Sequence, residues 1–155
     1  TSSSSTSSSS STKFDTFGVY GTAKQAGTAL TYELARRVAA APGGAGITVH
    51  ACTPGMVNTN LSRFVGPLLQ WLAAPLTWGL MKTSAQGAEA PLWLATSHAP
   101  EAAGATGGYF GTESSFKPGP VVALVSSEAS RDLAVGAQLW DTCEAMHGPV
   151  TSPLL

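Results

Sequence analysis

Apolar residues recur at helical spacing through residues 16–40, at Tyr20, Ala23, Gly27, Leu30, Leu34 and Val38. Steps of three and four put these positions on one face of a helix. The pattern predicts a long helix over 16–40, with Asp15 or Thr16 as its cap. Arg36 and Arg37 sit near its C-terminal end, where the helix dipole favours positive charge. PGGAG, 42–46, stops the helix in a tight turn, and its glycines lack the spacing of a phosphate loop. ITVHAC, 47–52, is β-branched and predicts a short buried strand, which TPG, 53–55, ends in a turn. A helix, a tight turn and a strand make the second half of a βαβ unit.

Residues 84–96 predict another helix, kinked at Pro91, and GGYF, 107–110, a short strand. Residues 127–146 predict one amphipathic helix. Ser126 or Ser127 caps it, and Leu133, Leu139, Trp140 and Cys143 face inward. Strands alternating with helices give an α/β class. Two strands are too little sheet for helices to cover on both faces. The expected architecture is the C-terminal half of a doubly wound, Rossmann-like parallel-sheet domain, with the N-terminal βαβ part missing.

Two segments break the pattern. Residues 1–12, TSSSSTSSSSST, are all hydroxyl-bearing and cannot pack a core. The expected organisation is a polyserine segment over 1–13, a folded part over 14–147 and a tail over 148–155. Residues 64–81, FVGPLLQWLAAPLTWGLM, carry no charge over eighteen positions, which touches the lower length limit for a membrane span. Pro67 and Pro75 argue against one smooth helix, so a hydrophobic lid or two short helices is expected. Trp71 and Trp78 would suit a membrane interface, and peripheral membrane contact stays open as the alternative.

Eight Lys and Arg residues against nine Asp and Glu leave a net charge of −1. No basic patch supports a nucleic-acid partner. Cys52, Cys143 and three scattered histidines offer no metal-ligand spacing. These features lead us to expect a reducing intracellular setting, in the cytoplasm or on a membrane surface.

The chemistry-bearing pair is Tyr20 and Lys24, four apart on one helix face. A free tyrosine, with a pKa near 10, is a poor base at neutral pH. A nearby ammonium favours the phenolate and lowers that pKa. A tyrosine tuned this way can exchange a proton with an alcohol or carbonyl oxygen while carbon loses or gains hydride. The hydride must come from a nicotinamide, because no side chain supplies one. Taken alone, the spacing better describes an ordinary half-buried tyrosine beside a solvated lysine.

The pair has ordered company. YGTAK, 20–24, resembles the YxxxK signature of short-chain dehydrogenases/reductases. YELARRV, 32–38, and GITVHACTPGMVNT, 46–59, resemble the family's passage from the catalytic helix through the next strand into a Pro-Gly turn. KTSAQGAEAPLWLA, 82–95, GATGGYF, 104–110, and SSEASRDLAVGAQLWD, 126–141, resemble the retinol-dehydrogenase-like branch, which also holds WW-domain oxidoreductases. The resemblance spans residues 14–147.

The resemblance implies roles. Tyr20 is the general acid/base, and Lys24 lowers its pKa and binds the nicotinamide ribose. Pro54, Gly55, Met56 and Val57 shape the loop beside the nicotinamide, and Thr59 reaches the carboxamide or diphosphate. The implied cofactor is NADP, with NAD as the alternative. Residues 60–81 match the substrate segment, where Phe64, Leu68, Leu69, Trp71 and Trp78 would line a pocket for a small apolar alcohol or carbonyl compound such as a retinoid. The family's catalytic serine falls in the polyserine run, where Ser7 stands thirteen before Tyr20. Gly27 replaces the branch's usual Asn, and no Gly-rich strand–turn–helix fingerprint occurs in the chain. Two functions follow: a fragment of an NAD(P)-dependent oxidoreductase, inactive by itself, or a non-catalytic packing module. The helix over 16–40 would serve as a homodimer surface in either.

Overall fold

The computed structural model describes residues 15–58, 81–99 and 105–148. Helix α1, Thr16–Ala40, leads into strand β1, His50–Cys52. Two short helices follow, α2 at Ser84–Gly87 and α3 at Glu89–Thr96. Strands β2, Gly108–Thr112, and β3, Val121–Ala123, precede α4, Glu128–Arg131, and α5, Leu133–His147.

The sheet runs β1-β2-β3. β1 and β2 are parallel, with Cys52 opposite Phe110, while β2 and β3 are antiparallel, with Thr112 opposite Val121. The parallel pair agrees with an incomplete Rossmann-like domain. The antiparallel β3 corrects the expected all-parallel sheet. β3 has only three residues after Lys117-Pro-Gly-Pro120, too few for an alternating pattern to mark it. Its place comes from pairing, extended by the Leu124 N–H, which donates to the Tyr109 carbonyl at 2.7 Å.

β1 is shorter and more open than expected. Regular pairing is confined to three residues, and Cys52 is exposed. Just before it, the Val49 N–H donates to the Thr106 hydroxyl at 3.0 Å, and the Gly107 N–H donates to the Val49 carbonyl at 2.7 Å. A side-chain acceptor thus stands where another strand residue's carbonyl would serve. On β2, Phe110 is buried, with its ring edge-on to His50 at 5.2 Å and 5.6 Å from Trp93 of α3. This cluster pins α3 to the sheet.

α1 is the longest element, and only its second half is covered. Ala29, Ala35 and Val38 are buried, as is Glu33. Tyr20, Ala23 and Gly27 of the expected stripe are exposed instead. The difference follows from where the neighbours touch. Gly136 of α5 lies against Ala29 and Glu33, and Gly107 lies near Ala35. Tyr32 donates to the Ser126 hydroxyl at 2.8 Å, and the Arg37 guanidinium stacks on Trp140 at 4.6 Å. α5 follows α1 in the same direction, from Ala29 beside Gly136 to Arg37 beside Trp140.

The ends of the helices depart in detail. Asp15 holds the N-cap position of α1 but makes no capping bond. Ser127 caps α4 as expected, yet the predicted single helix breaks at Asp132. That carboxylate accepts from the Ala134 and Val135 amides at 2.8 and 3.3 Å and starts α5 anew. The break turns Leu133 outward, to 68 % exposure, whereas Leu139, Trp140 and Cys143 remain partly covered. Pro91 lies in the first turn of α3, where its missing N–H is harmless, so the interruption falls at Ala88. Among the described residues, no helix is long and apolar enough to cross a membrane. The polyserine segment, the chain end from 149 and most of the uncharged 64–81 segment lie outside the described residues.

Glu33 is the buried charge at the helix crossing. Arg36 donates to both its oxygens, at 2.8 and 2.6 Å, and Arg37 adds a bond at 2.6 Å. The Arg36 hydrogen bonds, helped by Arg37, hold the Glu33 carboxyl down to about 2 from the usual 4.5, against the opposing effect of burial. A depressed folded pKa stabilises the fold above the unfolded value, and that stability is lost as pH falls through the folded one. Glu33→Gln should cost about 1–3 kcal/mol at neutral pH. Denaturant titrations of both proteins should show the gap narrowing from pH 5 towards pH 2. A gap that ignores pH would rule out the ion pair as its source.

Candidate functional site

Tyr20 and Lys24 stand on the uncovered half of α1. The Lys24 ammonium lies over the Tyr20 ring, 5.5 Å from its centroid. Tyr20 is half exposed, at 50 %. Neither polar head is engaged in a side-chain hydrogen bond among the described residues, so both are open to an incoming oxygen. The helix places the two side chains one turn apart on one face, as the i, i+4 spacing requires.

The second group is the turn that ends β1. The Thr53 N–H donates to the Phe110 carbonyl at 2.8 Å, which ties the turn's start to β2. Gly55 takes a φ of 73°, in the left-handed region that suits glycine. A Cβ there would come 2.6 Å from the Ser115 carbonyl oxygen and 2.9 Å from Lys82 Nζ. The Met56 N–H donates to that Ser115 oxygen at 2.7 Å. Val57 forms an isolated parallel bridge with Lys82. In it the Lys82 N–H donates to the Met56 carbonyl, and the Asn58 N–H to the Lys82 carbonyl, each at 2.9 Å.

The KTSAQGA segment is built onto this turn. Lys82 is buried to 1 % exposure, and its ammonium donates to the Pro54 carbonyl at 3.2 Å and to the Thr112 hydroxyl. Thr112 passes the connection on, donating to the Ser114 carbonyl at 2.9 Å. Thr83 and Gln86 form a reciprocal capping box that starts α2. Gly87 presses against the turn, where a Cβ would come 2.6 Å from Val57 and 3.5 Å from Pro54. An open cavity of about 390 Å³ beside the clasp is lined by Asn58, Met81, Lys82, Thr83 and Ser84. Another, of about 330 Å³, lies by Arg36, Arg37, Pro42, Trp140 and Glu144, among the ion pairs of the helix crossing.

The structure therefore brings Pro54, Gly55, Met56 and Val57 into one clamped turn and pairs Tyr20 with Lys24. No hydrogen bond joins the two groups among the described residues. Ser7, Thr59, Phe64, Leu68, Leu69, Trp71 and Trp78 lie outside the described residues. Among the described residues, no group of acidic, His or Cys side chains is placed to hold a metal.

Sequence reasoning overlooked Lys82, Gly87 and Thr112. The T-x-x-Q spacing of Thr83 and Gln86 was a readable sign of the helix start. A lone lysine ordinarily reads as solvated, and nothing in its neighbours announced its burial.

Comparison with known proteins bears on these same segments. The short chain dehydrogenase family model matches residues 4–67, across both Tyr20–Lys24 and the Pro54–Gly55 turn. The chain is 36% identical over 133 residues to Homo sapiens retinol dehydrogenase 14, covering 83% of this chain and 35% of that protein. Over these segments it resembles the short-chain dehydrogenase/reductase family, and the relatives it matches are retinol dehydrogenases. Retinol dehydrogenase 14 of Mus musculus is 35% identical over 135 residues, and Homo sapiens retinol dehydrogenase 13 is 30% identical over 132. The chain spans about 35% of the length of these curated relatives. No solved structure matches it.

Gly55→Ala should destabilise the chain by about 1–3 kcal/mol, because it adds strain at a positive φ and a clash with Ser115. Gly21→Ala, at an open position on α1, should be neutral or stabilising. Parallel thermal melts check both. A Gly55→Ala melt no lower than that of Gly21→Ala would refute the clamped turn.

Proposed function

We propose that this chain supplies the nicotinamide-facing part of an NAD(P)-dependent oxidoreductase acting on an apolar alcohol or carbonyl compound, retinoid-like in character. The carrying observation is the open Tyr20–Lys24 pair on a chain that also holds a clamped Pro54–Gly55 turn. The names of the relatives support the substrate class, since those proteins are retinol dehydrogenases.

The described residues suit the nicotinamide end of the cofactor. The Tyr20 hydroxyl and Lys24 ammonium are open to ribose and substrate oxygens. The turn offers a fixed backbone edge with no side chain at Gly55. When bound, NADP(H) takes or supplies the hydride. In this reading Tyr20 moves the matching proton at the substrate oxygen. Lys24 keeps positive charge beside the phenol and donates to the ribose. Pro54, Gly55, Met56 and Val57 orient the ring, Thr59 adds a contact, and Ser7 takes the place of the family's catalytic serine. NADP is preferred to NAD on the lean of the branch alone.

A second reading has its own observation. Val19 and Tyr20 are half exposed beside the small residues Ala23 and Gly27, a face that suits close packing against another helix. It makes the chain a packing or dimerisation module without chemistry.

The test compares two proteins. The 155-residue chain alone, which has no Gly-rich fingerprint, should neither bind NADPH nor turn over. Joined behind a dinucleotide-binding half of the same family, it should reduce a long-chain apolar aldehyde with NADPH. There Tyr20→Phe should lower kcat by roughly 10²–10⁴ with NADPH affinity kept. Unchanged turnover in that variant would sink the catalytic assignment and leave the packing module.

A further inference from the structure

Lys82 has no role in the proton and hydride chemistry above, yet it is among the most deeply buried large side chains of the described residues. Lysine is rarely buried unless it is paired. Here the partners are neutral: the Pro54 carbonyl and the Thr112 hydroxyl. Ion pairs join Glu33, Arg36, Arg37 and Asp141 among the described residues, and none of these includes Lys82. Burying a cation without a carboxylate is costly. A leucine or methionine would fill the same space at no such cost.

What an apolar residue lacks is donors. The ammonium has three, on a long stem. From one point they reach a carbonyl 28 residues before and a hydroxyl 30 residues after in the chain. Both acceptors lie just past the ends of neighbouring parallel strands, or at the last residue of one. The main chain of the same residue bridges Val57, so one residue grips the turn from two sides.

We propose that Lys82 is a positioning residue: its ammonium, acting through the Pro54 carbonyl and the Thr112 hydroxyl, sets the shape of the Pro54–Gly55 turn that meets the nicotinamide. The part concerning the nicotinamide rests on the function proposed above. The mechanical part does not. Lys82 touches neither substrate nor cofactor in this role. It fixes the backbone that does.

The test is amide hydrogen exchange on the 155-residue chain, which needs no cofactor. In Lys82→Met the stem is kept and the donors are lost. Exchange at Met56 and Asn58 should quicken at least tenfold, while Leu124, bonded to the Tyr109 carbonyl in the sheet, keeps its rate. Thr112→Val should reproduce the local effect, and Thr112→Ser, which keeps the hydroxyl, should restore protection. Unchanged exchange at Met56 and Asn58 in both Lys82→Met and Thr112→Val would overturn the proposal. Equal acceleration at Leu124 would also overturn it, since Lys82 would then support the whole fold and not the turn. If Lys82→Met fails to fold, the two Thr112 variants decide alone. Loss of the Tyr20 assignment would leave these exchange results standing, so the two failures are distinguishable.

Discussion

Glu33 puts a carboxylate where α1 and α5 cross, paired within α1 by Arg36 and Arg37, of which Arg37 also reaches α5. The crossing is close because Gly136 faces Ala29 and Glu33 with no side chain of its own. It stays charged because Arg36 and Arg37 satisfy both carboxylate oxygens. Arg37 then leans over Trp140 and reaches towards Asp141 at 3.6 Å, carrying the contact further along α5. α1 is thereby held between β1 on one side and α5 on another, and its free end presents Tyr20 and Lys24. Burying a carboxylate at such a crossing is costly, and removing either guanidinium would leave it less well paired.

Much of this fold was legible because its periodicities were strong. The α1 run from Thr16 to Ala40 and the strand pair at His50 and Gly108 follow from helical spacing and β-branched character. The misses have local causes. Asp132 outcompetes helix continuation by accepting from the Ala134 and Val135 amides, which no count of apolar positions registers. β3 is defined by what it pairs with and not by its own three residues. The stripe on α1 is continuous in sequence, while its burial depends on where α5 and the sheet stop.

The candidate site can be read in the sequence as motifs and not as mechanics. YGTAK and TPGM identify themselves by order and spacing. KTSAQGA was recognised only as the opening of a helix. In space it is the clasp of the Pro54–Gly55 turn: Lys82 beneath it, Thr83 and Gln86 setting the helix angle, Gly87 against Val57. These contacts join residues remote in sequence. Only the capping box leaves a trace that one sequence can reveal.

The turn's partners also fix when it can exist. As the chain leaves the ribosome, all residues of α1 have emerged once residue 40 is out, and helix–coil exchange at that length takes about a microsecond. The Pro54–Gly55 turn has no such early shape. Its carbonyl waits for Lys82, its Met56 amide waits for Ser115, and the Lys82 ammonium waits for Thr112. At 5–20 residues per second the interval between residues 55 and 115 lasts several seconds. Throughout it the nascent chain holds all the residues of α1 but not the later ones that clamp the turn. A chain stopped before Lys82 therefore has none of the contacts that clamp the turn, and one stopped before Thr112 has only those made by Lys82.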